Sequence, residues 1–164
     1  MTLSAGFLGD YDFEMAGTRR ALERVPLERY DWVPHPKSFS LGRLANHLVG
    51  LQLWAHATMA SRELDLLEPG FERTDYRTNA SLLAGFDSEV SRARSAIAAA
   101  SDEEMLAPWT LRRGDQPLFT LPRAAVLKGM VLHHTIHHRG QLTVYLRLLD
   151  VPVPGLYGPS ADET

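Results

Sequence analysis

No cysteine occurs among the 164 residues, which excludes disulfides, thiolate metal sites, iron–sulfur clusters and a cysteine nucleophile. Nor is there an apolar run approaching the roughly 18 to 20 residues that a helix needs to cross a bilayer. Positive charge is not in excess either. Seventeen Lys and Arg stand against 20 Asp and Glu, a net charge of −3, which speaks against a surface built to hold nucleic acid. The opening MTLSAGFLGDYDFEM carries acids where a signal peptide needs a basic and then an apolar stretch. No G-x-x-x-x-G-K-[ST] or G-x-G-x-x-G is present to cradle a phosphate. These absences lead to the expectation of a cytoplasmic protein with neither a membrane nor a nucleic-acid partner. What is present is an ordinary globular composition, 45% apolar and 23% charged, expected to fold as one domain over residues 1–164. Seven histidines stand out, four of them between positions 133 and 138.

Apolar residues recurring at steps of three and four predict four long helices. The first runs from Phe7 to Val25 and is stopped by Pro26. A second starts after Ser40 as N-cap, carries Leu44, His47, Leu51, Trp54 and Thr58 on one row, and fades near Leu67. The third is capped by Asn79 and ends near Ser101-Asp102. The fourth extends from Pro122 to Leu149, before Asp150, Pro152 and Pro154. Four such stripes predict an all-α four-helix bundle. The long connections, 26–40 and 102–121, are expected to pack over its ends. Within the second, Trp109, Leu111, Leu118 and Phe119 flank Arg113-Gly114-Asp115, which reads as the turn of a short hairpin rather than an adhesion motif. Asn79-Ala80-Ser81 matches a glycosylation acceptor but is better explained as a helix start.

In the fourth helix, Leu127, Val131, His134, His138, Gln141, Tyr145 and Leu148 follow a single 4-3 row. His134 and His138 are then the core-facing i, i+4 pair, while His133 and His137 lie to one side. His47 occupies the core row of the second helix. Three inward histidines on two helices need partners or a metal, because unpaired polar rings are costly to bury. Facing helices of a bundle are a common place to hold a divalent ion. Three protein ligands leave a coordination position for water or substrate, as in catalytic rather than structural sites, and Gln141 is placed to hydrogen-bond a ligand's outer nitrogen. Thr135 stands where an H-E-x-x-H peptidase needs Glu. His56 is read as surface or partly buried, and His35 as a loop residue. Glu14 is read as surface, Arg139 as a partner in a structural ion pair.

Two blocks carry a resemblance. Residues 34–48, PHPKSFSLGRLANHL, and residues 134–141, HTIHHRGQ, with Tyr145-Leu146-Arg147, Val151-Pro152-Val153-Pro154 and Tyr157-Gly158-Pro159-Ser160, resemble the DinB-like (damage-inducible) four-helix proteins, which are grouped with the YfiT-like metal-dependent hydrolases. The resemblance implies up-down-down-up connectivity, a divalent ion such as nickel or zinc on His47, His134 and His138, and a homodimer; Arg139 and His137, lateral to the core row, are expected near the partner. It also implies kinship with maleylpyruvate isomerase and transferases that use a low-molecular-weight thiol as cosubstrate. Where that family commonly has Pro two residues before the second-helix Trp, this chain has Gln52, which is expected to leave the helix straighter. The functional expectation is a small-molecule thiol transferase or hydrolase. The alternative is a non-catalytic metal-binding stress protein or a sensor. Trp32, His35, Trp109 and Tyr157 are candidates for the rim of the pocket.

Overall fold

The computed structural model describes residues 2–68 and 74–163. The chain is mostly helical. Helix α1, Leu3–Glu23, begins four residues earlier than the apolar stripe indicates, because the Thr2 hydroxyl accepts a hydrogen bond from the Ala5 amide. A 3-10 turn at Leu27–Arg29 leads toward α2, Leu41–Ala60, capped by Ser40 as expected. Helix α3, Asn79–Ala99, is capped by Thr78 and not by Asn79. The Asn79 amide instead reaches the Val25 carbonyl at 2.6 Å and ties the start of α3 to the end of α1. Ser101, expected at the close of that helix, opens the short α4, Asp102–Leu106, through a reciprocal capping box with Glu104.

The all-α expectation needs correction. After α2 the chain does not continue as helix to Leu67; Glu63–Asp65 forms strand β1. The hairpin read around Gly114 is present as β2, Pro108–Arg113, and β3, Gln116–Pro122. Gly114 takes φ +59 at its turn, a conformation that glycine adopts without a Cβ clash. Strand β1 joins β2 in parallel, pairing Leu64 with Leu111, and gives a three-stranded sheet in the order β1-β2-β3. Under the sheet Leu64, Trp109, Leu111 and Val126 form a small core of their own.

The fourth helix is not one regular cylinder. It comprises α5, Arg123–Val126, a π-helical segment at Leu127–His133, and α6, His134–Leu148. The i→i+5 bonding of the π segment takes in an extra residue per turn and rotates everything after it. The buried row therefore runs through Leu127, Val131, Thr135, Arg139, Leu142 and Leu146, with Tyr145 buried beside it, while Leu148 is exposed. His134 and His138 lie one residue off that row, half-buried at its edge, instead of at its centre. The main core gathers Tyr11, Leu22, Leu44, Leu48, Phe86, Ile97, Leu142 and Leu146. In it α3 packs against α1 and α2, and α6 packs against α2 and α1.

Candidate metal centre

His47 projects from the second turn of α2, and His134 and His138 from the first two turns of α6, directly after the π segment. The Nε2 atoms of His47 and His134 are 3.3 Å apart, and those of His134 and His138 are 2.9 Å apart. One ligand nitrogen from each ring lies within 4.8 Å of the others, the only such grouping of histidine and carboxylate side chains among the described residues.

The outer nitrogens indicate what these Nε2 atoms are for. His134 Nδ1 faces the Met130 carbonyl at 3.3 Å, which can only accept a hydrogen bond. His138 Nδ1 donates to Gln141 Oε1 at 2.7 Å. With the protons on Nδ1, two Nε2 lone pairs point at each other across 2.9 Å, an arrangement that a cation between them relieves. Three nitrogens held at about 2.0–2.1 Å from one ion stand roughly 3.0–3.4 Å apart, close to the spacings observed. The donor set fits a divalent ion. Burial, chiefly, holds the His138 pKa below the ordinary histidine value, with His134 and His137 lowering it further and Gln141 opposing them. The ring therefore stays neutral to lower pH.

Phe39 roofs the cluster. Its ring stands edge-on to His47 at 5.8 Å and stacks on His138 at 6.2 Å. Three clefts open on the triad. One of about 70 Å³ is bounded by His47, Leu51, Trp54 and His134; one of about 180 Å³ by His47, Phe39 and Arg43; one of about 250 Å³ by His138, Gln141, Tyr145 and Lys37.

The rim candidates separate. Trp32 packs edge-on against Tyr145 at 5.5 Å, beside the largest cleft. His35 is an exposed loop residue whose Nδ1 accepts from the Lys37 amide, close in sequence to that cleft but not lining it. Trp109 is fully buried beneath the sheet and touches the site only through Trp54, 6.4 Å away. Tyr157 is largely exposed, and its hydroxyl turns to Glu14 and Arg139 rather than to the histidines. His56 lies apart from the triad, with Nδ1 3.4 Å from Arg92 Nη2, and burial and that guanidinium lower its pKa.

Two buried polar groupings beside the triad were not apparent from the sequence. Glu14 is buried, not on the surface: Arg139 Nη2 meets its carboxylate at 2.5 Å, and Arg139 Nη1 donates to the Glu14 carbonyl at 2.9 Å. Gly17 makes room for this crossing, since a Cβ there would fall 2.9 Å from Arg139 Nη1. Arg139 is 2% exposed, so it is the ion-pair residue expected of it but is sealed from any partner chain. The second grouping replaces the family's proline. Gln52, fully buried, accepts from the Tyr11 hydroxyl at 2.9 Å and donates to Thr135 Oγ1 at 3.1 Å, linking α1, α2 and α6 one residue from His134. Burial drives the Tyr11 phenol pKa up.

A family model described as the DinB superfamily matches residues 11–142. The chain belongs to the DinB superfamily. Among its relatives, the uncharacterised protein YrdA of Bacillus subtilis (strain 168) is 27% identical over 158 residues, covering 96% of this chain and 89% of that protein. A DinB-like protein from Bacillus cereus ATCC 10987 superposes with a TM-score of 0.72 at 22% identity, over 93% of this chain and 97% of that one. The DinB-like protein YjoA from Bacillus subtilis gives 0.71 at 16% identity, over 97% and 99%. These two likenesses concern the fold. Superfamily membership and the three-histidine cluster fit a metal-binding protein. No helix among the described residues is long and apolar enough to cross a membrane.

Proposed function

We propose that this DinB-superfamily chain is a metal-dependent enzyme acting on a small molecule, its long helices in up-down-down-up order holding a divalent ion, nickel or zinc, on His47, His134 and His138. The observation that carries the reading is the convergence of three Nε2 atoms beneath open clefts, with two of the rings held from behind by acceptors at Nδ1. A divalent ion there supplies Lewis acidity and lowers the pKa of a bound water or thiol. The chain's own contribution is positional. Gln141 and the Met130 carbonyl set the ring tautomers, Phe39 packs on His47 and His138, and the rigid helices hold the donors while loop residues shape the approach.

With no cysteine in the chain, a thiol nucleophile has to arrive as a low-molecular-weight cosubstrate. Transfer of such a thiol to an electrophile is the reaction we favour, hydrolysis the next. The protein is expected to work as a homodimer in the cytoplasm. Conjugation of small thiols to an epoxide or an activated halide, with added nickel, zinc or manganese, tests the proposal against the His138→Ala variant. Metal-dependent turnover lost in the variant supports an enzyme. Full metal loading without turnover, with any thiol or hydrolysable ester, favours the non-catalytic stress protein or sensor.

A further inference from the structure

Arg43 lies four residues before His47 on the same face of α2. Its guanidinium sits 4.0 Å over the Phe39 ring, the ring that also packs on His47 and His138. Among the described residues the Phe39 ring is the guanidinium's one side-chain partner, and Arg43 is otherwise exposed. The first turn of α2 has no acidic residue, and a positive side chain at a helix N-terminus opposes the helix dipole. Among the described residues no carboxylate forms a salt bridge with Arg43. The one acid on its cleft, Asp75, is already taken by Arg77 at 2.7 Å and by the Tyr30 hydroxyl. Lys37 lines the adjoining cleft on the His138 side, so positive charge stands on both flanks of Phe39. The Arg43 cleft, about 180 Å³, has room for about six waters at ~30 Å³ each, the scale of a small organic acid.

We propose that Arg43, held on the Phe39 ring, binds the carboxylate of a small anionic substrate and orients it over the three histidines. The planar guanidinium suits a carboxylate through two parallel hydrogen bonds. This substrate class rests on the metal-centre reading above, since the triad is what the bound acid would face.

The test uses the full chain, zinc-loaded and again metal-free, titrated with succinate and with succinamide while the backbone amides of residues 39–47 are followed by NMR. Zinc content is measured in parallel. The expected result is saturable succinate binding by the wild type in both forms, weaker by tenfold or more in Arg43→Gln and intermediate in Arg43→Lys, with zinc content unchanged and succinamide ineffective. Equal succinate binding by wild type and Arg43→Gln, succinamide binding as tight as succinate, or no saturable binding by the wild type would overturn it. Those outcomes leave the metal centre standing if zinc content holds. Conversely, failure of zinc to bind, with Arg43-dependent succinate binding intact, removes the metal reading and keeps the anion site.

Discussion

Gln141 Oε1 lies 2.7 Å from His138 Nδ1, one helical turn along α6. That contact fixes which His138 nitrogen carries the proton and turns the other toward His134 and His47. Outer hydrogen bonds of this kind typically account for 10- to 100-fold in metal affinity. Gln141→Ala is therefore expected to weaken zinc binding about tenfold or more, measured by competition with a chromophoric chelator, without changing the helical content seen by circular dichroism. Unchanged affinity would mean that His138 is oriented by its packing against Phe39 alone.

The Glu14–Arg139 pair carries stability rather than chemistry. Removing one partner of a buried ion pair leaves the other charge without compensation, at a cost of about 3–5 kcal/mol. Glu14→Ala should lose about that much in urea denaturation. Tyr157→Phe removes one hydroxyl from the same cluster and should lose only about 1 kcal/mol. A Glu14→Ala variant as stable as the wild type would show that Arg139 finds water or another acceptor.

Gln52 bridges two hydroxyls, and its replacement leaves the buried Tyr11 hydroxyl without an acceptor. Gln52→Leu is expected to cost about 1–3 kcal/mol, and adding Tyr11→Phe should recover a good part of that, because removing both partners is cheaper than stranding one. Additive losses in the double variant would argue that the cost comes from packing instead.

Acid should destabilise the metal-free protein in a defined window. The His138 and His56 pKa values are lowered in the folded state, against an ordinary value of about 6.5. As pH falls from about 6.5 through those lower values, the unfolded chain binds more protons than the folded one, so stability declines with falling pH. The urea midpoint should thus drop as pH falls through and below about 6.5, and drop less in a His56→Ala, His138→Ala double variant. A midpoint that holds or rises on acidification across this range would contradict the assignment.

Much of this was legible in the sequence where the signal is local. Ser40 caps α2 as read, Gly114 turns its hairpin, and the trio of histidines comes from helical spacing on α2 and α6. What escaped is non-local or lacks a compositional mark. Glu14 is buried because it pairs with Arg139, 125 positions away, and nothing near Glu14 indicates that partner. Strand β1 is three residues long and exists only through parallel pairing with β2. The π segment uses ordinary helix formers, so its rotation of the buried row, which exposes Leu148 and buries Leu142 and Leu146 beside Tyr145, leaves no trace in spacing. His134 and His138 still meet His47, since the rotation moved them only to the edge of the core, at the foot of a cleft.

The central claim is a divalent ion on three named histidines, and metal content tests it most directly. Wild-type protein loaded with zinc or nickel and freed of excess should hold about one ion per chain by mass spectrometry, released on acidification as the imidazoles protonate. His47→Ala and His138→Ala should each lose most of it, while His56→Ala should retain it. Equal metal in all three variants, or none in the wild type, would contradict the account.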